Sequence, residues 1–181
     1  MENICYPYRS TYCRGNVHSK RQKRQCGGGG LMYWGMLMPN GLVALKRIDG
    51  KMDSKKYVHL LESYTIPIMN LNTNPNYKFI QDNATIHVST YSKMFLENLT
   101  FETLNWPARS PDINLMENVW KMISDIVYLD EQPLNINQLE ERVIKAVHLI
   151  NTEKRDVTKS LFNTFLHRLT RILISKGNIL N

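Results

Sequence analysis

The sequence predicts an α/β domain whose mixed sheet combines a β-hairpin with parallel strands and is flanked by helices. Two apolar, strand-like runs, LMYWGMLM and LVALKRI, are separated by the turn signal PNG within residues 31–48. Apolar residues then recur at helical spacing around two short strand candidates, YKFIQ and FETLNW. Because helices connect these later strands, we expect the strands to lie parallel in one sheet.

Two helices are predicted between the hairpin and FETLNW. Asp53 has the side chain of an N-cap and is expected to begin the first of them. The second is expected over about residues 87–98. Spacings of three and four predict their buried faces, which are Tyr57, Leu60, Leu61, Tyr64 and Ile68 in the first helix and Val88, Tyr91, Met94 and Phe95 in the second.

Three more helices are predicted after FETLNW. The first begins with Ser110 as N-cap, Pro111 at the first helical position and Asp112 near the positive end of the helix dipole. The others are expected over about residues 137–150 and 156–175, and Gly177 is a fitting stop for the last. Their predicted buried faces are Met116, Val119, Trp120, Ile123 and Val127; Leu139, Val143, Val147 and Ile150; and Leu161, Phe165, Leu169 and Ile172.

Composition indicates an ordinary soluble, intracellular globular protein of 181 residues, with 43% hydrophobic and 22% charged residues. Its apolar runs are too short for a membrane span, so no membrane partner is expected. Cys5, Cys13 and Cys26 fit neither a disulfide framework nor a paired zinc motif, which predicts free thiols.

The positive charge is concentrated near the N-terminus. Residues 1–30 hold six basic residues and one acid, and so carry +5 of the net charge of +7. We expect residues 1–26 to form a basic, poorly ordered arm. Its run SKRQKRQ, with Lys20, Arg21, Lys23 and Arg24, is typical of nonspecific nucleic-acid binding or of nuclear import, and equally of a solvated arm.

Two acidic residues are candidates for a metal site. Asp82 ends the strand candidate YKFIQ, and Glu117 falls in the second turn of a later predicted helix, beside its apolar stripe. Side chains that follow strands gather at the carboxyl edge of a sheet, where a packed helix could bring the second carboxylate. Two carboxylates would suit Mg²⁺ or Mn²⁺. From these residues alone, a turn-capping Asp and a solvated Glu remain the commoner alternatives.

Several blocks of the chain resemble the catalytic domain of Tc/mariner-type DNA transposases over about residues 24–181. They are GGGGLMYWGMLMPNGL, IDGKMDSKKYVHLL, FIQDNATIHVS, LNWPARSPDINLMENVW and RLTRILISKG. The 34 residues between Asp82 and Glu117 match the spacing of one large branch of that superfamily. We therefore interpret residues 27–181 as the remnant of a DDE catalytic domain. We expect an RNase H-like fold that lacks its first, central strand and has extra C-terminal helices.

The resemblance implies an Asp-Asp-Glu triad that holds two Mg²⁺ ions, cleaves DNA at transposon ends and joins the freed 3′ hydroxyl to target DNA. It matches Asp82 to the second acid and Glu117 to the third. The positions around the site, whose side chains could orient ligands or contact phosphate, are Asn83, His87, Asn114 and Asn118.

The first acid of the triad belongs to a central strand upstream of the hairpin, in a DE-like block that this sequence does not contain. We therefore expect an incomplete triad, weakened or lost Mg²⁺ or Mn²⁺ binding, and no strand cleavage by this chain alone. The segment NICYPYRSTY could fill the place of the missing strand only in part, because Pro7 cannot donate a ladder hydrogen bond.

The family's helix-turn-helix modules are also not recognisable in this sequence, so DNA is expected to be bound largely without sequence specificity. The chain could form homo-oligomers or pair with an intact transposase, and its expected location is the nucleus. Two alternatives remain open. One is a non-catalytic nucleic-acid-binding or interaction protein that uses the basic arm, and the other is a decayed fragment of a transposable element.

Overall fold

The computed structural model describes residues 3–4, 31–72, 77–104, 106–107, 113–129, 133 and 135–174, which form two compact units. The first unit comprises Met1–Ile48 and Asn118–Leu161, and the second comprises Asp49–Glu117 and Phe162–Asn181. The strands are β1 (Asn3–Ile4), β2 (Leu31–Met38), β3 (Gly41–Ile48), β4 (Phe79–Ile80) and β5 (Thr103–Leu104). The helices are α1 (Ser54–Leu60), α2 (Ile66–Leu71), α3 (Thr90–Glu97), α4 (Leu115–Val127), α5 (Ile136–Thr152), α6 (Arg155–Asn163) and α7 (Phe165–Ile174).

The predicted hairpin is confirmed in the first unit, where β2 and β3 pair antiparallel. Gly41 opens β3 with φ of +129°, a backbone conformation that other residues rarely adopt. The side-chain amide of Asn151, at the end of α5, pairs with the main chain of Leu42 in both directions. Leu42 N–H donates to Asn151 Oδ1, and Asn151 Nδ2 donates to Leu42 O, each at 2.9 Å. These two bonds fasten α5 to the hairpin.

A short strand, β1, lies at one edge of the hairpin and fills that edge only in part. β1 pairs antiparallel with β2, with Asn3 opposite Met32 and Ile4 opposite Leu31, so the sheet order is β1-β2-β3. The start of the segment NICYPYRSTY thus supplies two residues of pairing. Residues 5–30, which hold the three cysteines and most of the predicted basic arm, lie outside the described residues.

Helices α4 and α5 supply most of the helical core of the first unit. The predicted stripe of α4 is confirmed from Val119 to Val127, although Met116 is only half-buried. The stripe of α5 is confirmed except that Ala146, rather than Val147, is fully buried. Asn135 caps α5 by accepting the Gln138 N–H at 3.0 Å. Helix α5 packs against both β2 and β3.

The second unit begins with α1, whose predicted N-cap is confirmed: Asp53 accepts the Lys56 N–H at 2.8 Å. Tyr57, Leu60 and Leu61 are buried as predicted, whereas Tyr64 and Ile68 are only half-buried. The single helix expected here is interrupted by a π-helical turn, Leu61–Thr65, which leads into α2. Pro67 has no N–H to continue the α-helical ladder, so the change of helical pitch falls directly before it.

The predicted inward face of α3 is wrong at three of its four positions, and the fourth, Phe95, is half-buried. The helix begins at Thr90, with Ser89 as N-cap, rather than at residue 87. Val88, Tyr91 and Met94 are between 36% and 61% exposed, whereas Ser92 is fully buried. Ser92 can face inward because its hydroxyl donates to Ile86 O at 2.6 Å, so no polar group is left unpaired.

The later strands pair as predicted. β4 and β5 are parallel, with Phe79 opposite Thr103 and Ile80 opposite Leu104, and they form a two-stranded sheet of their own. Among the described residues, the hairpin and the parallel strands thus belong to two sheets rather than to the one mixed sheet that the sequence predicts. The last predicted helix is in fact two, α6 and α7, divided at Thr164, whose carbonyl accepts the Arg168 N–H at 2.9 Å to begin α7. Gly177 lies outside the described residues. Among the helices that the structure describes, none is long and apolar enough to cross a membrane.

Candidate active site

Asp82 lies two residues beyond β4, in a turn that its own side chain stabilises. Its Oδ1 accepts the Ala84 N–H at 3.0 Å, the local bond by which Asp commonly forms turns, and lies 2.6 Å from His87 Nδ1. The hydrogen bond with His87 is the main reason that the pKa of Asp82 is lowered to about 2. The Ala84 N–H adds to this effect, and partial burial opposes it. Asp82 is therefore a carboxylate at neutral pH.

His87 lies in the turn between β4 and α3 and is not a helix-start residue. Its N–H donates to Ala84 O at 2.8 Å, and its side chain is nearly buried. Nδ1 faces Asp82 Oδ1, and the ring of Tyr57 packs against the imidazole with centroids 4.3 Å apart. The structure thus brings together Asp82 and His87, two of the residues predicted around the site.

Asn83 connects the segments that follow the two parallel strands. Its Nδ2 donates to Trp106 O, beyond β5, at 2.7 Å. The Trp106 ring in turn stacks on Phe165 of α7, with centroids 6.3 Å apart and planes inclined by 10°. The carboxyl ends of β4 and β5 are therefore joined by a side chain next to Asp82, at the edge where open α/β sheets place their functional groups.

Glu117 lies in the first turn of α4 rather than in its second turn, because the helix begins at Leu115 and not near residue 111. Asn114 takes the capping role assigned to Ser110. Its Oδ1 accepts the Met116 N–H at 3.0 Å, and its carbonyl accepts the Glu117 N–H at 3.1 Å. Asn114 thus stabilises the first turn of α4, which carries Glu117. Ser110, Pro111 and Asp112 lie outside the described residues.

Asp82 and Glu117 both belong to the second unit, whereas Asn118 begins the second span of the first unit. Glu117 and Asn118 are each half-buried. Lys20, Arg21, Lys23 and Arg24 lie outside the described residues, so the structure does not bear on the predicted basic contacts.

The donor chemistry of the two acids fits a hard divalent cation, since carboxylate oxygens are the ligands that Mg²⁺ and Mn²⁺ prefer. Asp82 is ionised, its side chain is 37% exposed, and both of its described hydrogen bonds go to Oδ1. Oδ2 is therefore available to a ligand. Within the described residues, no group of three or more His, Cys, Asp or Glu side chains is placed to hold a metal.

Two residues of this site were missed in the sequence. The sequence pattern places Tyr57 only on an apolar helix face, and it gives Gln81 no predicted role. The Tyr57 hydroxyl donates to Gln81 Oε1, and Gln81 Nε2 lies 3.5 Å from His87 O. The available signals were the hydroxyl of a buried tyrosine, which needs a partner, and an amide directly before the candidate ligand.

Comparison with protein families adds independent information. The model for the family described as DDE superfamily endonuclease matches residues 6–140. The Tc3 transposase of Caenorhabditis elegans is 31% identical over 160 residues, which cover 88% of this chain and 48% of that protein. The Tcb1 transposase of Caenorhabditis briggsae is 35% identical over 95 residues, which cover 52% of this chain and 35% of that protein. The chain spans less than half the length of these relatives.

Solved structures show the same fold. The catalytic domain of Mos1 mariner transposase matches with a TM-score of 0.71 at 14% identity, over 84% of this chain and 76% of that one. A pre-cleavage Mos1 transpososome matches with a TM-score of 0.76 at 13% identity, over 96% of this chain and 52% of that one. These matches confirm the predicted RNase H-like class of fold.

Proposed function

Because this chain belongs to the DDE superfamily endonucleases as a Tc/mariner-type transposase catalytic domain, we propose that it binds DNA and that Asp82 and Glu117 are metal ligands of its site. The observation that carries the assignment is the geometry of Asp82. Its carboxylate is ionised, fixed through Oδ1 and open at Oδ2, at the carboxyl end of a parallel strand. The motif match extends the assignment to Glu117.

The side chains of the proposed site have separate roles. Asp82 and Glu117 would hold Mg²⁺ or Mn²⁺, and Asn114 fixes the helix turn from which Glu117 projects. When bound, such an ion polarises a phosphodiester and stabilises the negative charge that develops on its oxygens. Asn83 is exposed beside Asp82, but its amide nitrogen already donates to Trp106 O, so we assign it to holding the site together.

We further propose that these 181 residues bind the metal weakly and do not cleave DNA by themselves. The sequence supplies acids that match the second and third positions of the triad but none that matches the first. A carboxylate that bridges two metal ions fixes their positions relative to each other. Without it, the two acids that are present would hold at most one ion, and they would hold it with reduced affinity. From family membership we infer that the ancestral activity was DNA cleavage and strand transfer, and we expect the present activity of this chain to be DNA binding.

Mn²⁺ binding tests the metal site directly. The purified chain is titrated with Mn²⁺ while electron paramagnetic resonance reports the free ion. Asp82→Asn and Glu117→Gln are each expected to lose at least ~10-fold in affinity, since each removes a charged ligand. Glu97→Gln, which changes an exposed acid at the end of α3, is the matched control and should bind like the wild type. Equal affinity in all four proteins, or no binding by the wild type, would overturn the site.

A plasmid-nicking assay with Mn²⁺ tests the proposed inactivity separately. No cleavage by the wild-type chain is the expected result. Cleavage that disappears in Asp82→Asn would overturn the proposal of inactivity while supporting the metal site.

A second function, nonspecific nucleic-acid binding through the basic arm, is favoured by the +5 charge of residues 1–30. Because β1 pairs with β2, deletion of the arm would also remove a strand. Substitution of Lys20, Arg21, Lys23 and Arg24 by Gln avoids this. If all four contact phosphates, the slope of log affinity against log salt should fall by about 3.6. An unchanged slope would contradict the role of the arm.

Two further proposals concern the cell. The same basic run is proposed to direct the protein to the nucleus, which a fluorescent fusion of the wild type and of the four-Gln variant would test. Self-association, or pairing with an intact transposase, is proposed from family membership and can be measured by sedimentation of the chain alone and in a mixture.

A further inference from the structure

The carboxylate of Asp82 is held by one oxygen only. Oδ1 accepts the Ala84 N–H and contacts His87 Nδ1, and in the described part of the chain neither of its hydrogen bonds uses Oδ2. Two partners on one oxygen fix both the position and the plane of a carboxylate, so the direction in which the other oxygen points is fixed as well. The contacts that hold the His87 side chain therefore also set the direction of Asp82 Oδ2.

The surroundings of His87 select one protonation pattern of its ring. Nδ1 lies 2.6 Å from Asp82 Oδ1 and 3.2 Å from Asp82 O, and both of these atoms can only accept. Nδ1 must therefore carry a hydrogen. Nε2 is buried and has no hydrogen-bond partner among the described residues. A hydrogen on Nε2 would be a buried donor without an acceptor, which favours the tautomer with its hydrogen on Nδ1.

Tyr57 packs on the imidazole of His87, and Gln81 links the Tyr57 hydroxyl to the main chain of His87. The Tyr57 ring packs on the imidazole at 4.3 Å, and its hydroxyl donates to Gln81 Oε1. Gln81 Nε2 makes a long contact of 3.5 Å with His87 O, and Gln81 directly precedes Asp82 in the chain. Burial, assisted by the charge of Asp82, raises the pKa of the Tyr57 hydroxyl, so it keeps the hydrogen that it donates.

We propose that Tyr57 and Gln81 are positioning residues which hold His87 in the Nδ1–H tautomer and thereby fix Asp82 with Oδ2 directed at the metal. This inference rests on the proposed metal site. It adds that the geometry of Asp82 is set from α1, a helix that supplies no ligand. The residues act through one another in the order Tyr57, Gln81, His87 and Asp82.

The first test needs no metal. Nitrogen NMR of the imidazole side chains in the metal-free wild type distinguishes a protonated Nδ1 from a protonated Nε2, and comparison with His87→Gln identifies the signal among the five histidines. A dominant Nδ1–H tautomer is expected. In Tyr57→Phe, which keeps the ring but removes the hydroxyl, the His87 signal should shift or broaden. A dominant Nε2–H form in the wild type would overturn the inference, whatever the metal does.

The second test measures Mn²⁺ affinity in folded variants. His87→Gln is expected to lose about 10-fold, within the range for residues that orient a ligand, and Tyr57→Phe is expected to lose less. The matched control is Tyr91→Phe, which removes an exposed hydroxyl from α3 and should bind like the wild type. A purely structural role for Tyr57 would lower the melting temperature without changing the affinity or the His87 signal, and that result would refute positioning.

The outcomes separate the two proposals. If Asp82→Asn leaves Mn²⁺ binding unchanged, the metal site itself is wrong. If Asp82→Asn abolishes binding while His87→Gln and Tyr57→Phe bind normally, the metal site stands and the positioning role is wrong.

Discussion

Tyr33 is expected to make the protein sensitive to alkali. Its side chain is buried in β2, and its hydroxyl has no hydrogen-bond partner among the described residues. Burial, helped by the nearby charge of Glu140 and opposed by that of Arg47, raises the pKa of Tyr33 to about 12 from 10.0. Between these values the folded protein binds a proton that the unfolded chain has released, so the free energy of unfolding falls as pH rises.

The size of the effect follows from the shift. Each unit corresponds to 1.36 kcal/mol, so this group should cost the fold about 1.4 kcal/mol by pH 11 and approach about 2.7 kcal/mol at higher pH. Tyr33→Phe removes the ionisable group and should lack this loss. At neutral pH the variant should match the wild type or gain up to about 1 kcal/mol, because it deletes a buried hydroxyl without a partner.

Urea unfolding followed by tryptophan fluorescence at pH 8, 10 and 11 measures the difference between the two proteins. Tyr91→Phe, which removes an exposed hydroxyl, is the control and should follow the wild type. Parallel pH profiles for Tyr33→Phe and the wild type would refute the reasoning. A loss above about 1 kcal/mol in Tyr33→Phe at neutral pH would show instead that the hydroxyl has a partner.

The same urea assay tests three further features of the fold. Asn151→Ala should lower the free energy of unfolding by about 1–3 kcal/mol, because the N–H and C=O of Leu42 both lose their partner; no loss would mean that water replaces the amide freely. On α5, Ile150→Val should cost about 1 kcal/mol at a fully buried site, whereas Ile144→Val at a 60% exposed site should cost under about 0.5 kcal/mol; equal losses would contradict the assigned faces. Asp53→Ala should cost about 1 kcal/mol through loss of the N-cap of α1, and retention of full stability would argue against that cap.

The sequence predicted the elements of this fold better than it predicted their faces and ends. The hairpin could be predicted because PNG separates two apolar runs. The N-cap Asp53 could be predicted from capping chemistry, and the buried stripe of α4 from the spacing of its apolar residues. The buried face of α3 could not be predicted from the sequence. Its apolar residues do form a stripe, but a buried serine that satisfies its own hydroxyl allows the other side to turn inward.

Prediction of the candidate site had a similar limit. Asp82 and Glu117 were found because their spacing and flanking residues match a known family, and the position of Asp82 after a parallel strand agrees with that match. The start of α4 was misplaced because Ser110, Pro111 and Asn114 all suit a helix start, and spacing does not rank them. The roles of Tyr57 and Gln81 depend on packing between segments distant in sequence, which periodicity does not report.

The two bonds between Asn151 and Leu42 also bear on the order in which the chain can fold. They join residues 109 positions apart, and each compact unit is assembled from two separate stretches of the chain. A ribosome making this protein therefore releases the hairpin long before the helix that covers it. Until residue 151 emerges, the apolar side chains of the hairpin have no covering helix. We therefore expect the contacts between distant residues to form slowly, and we expect the chain to need chaperones during synthesis.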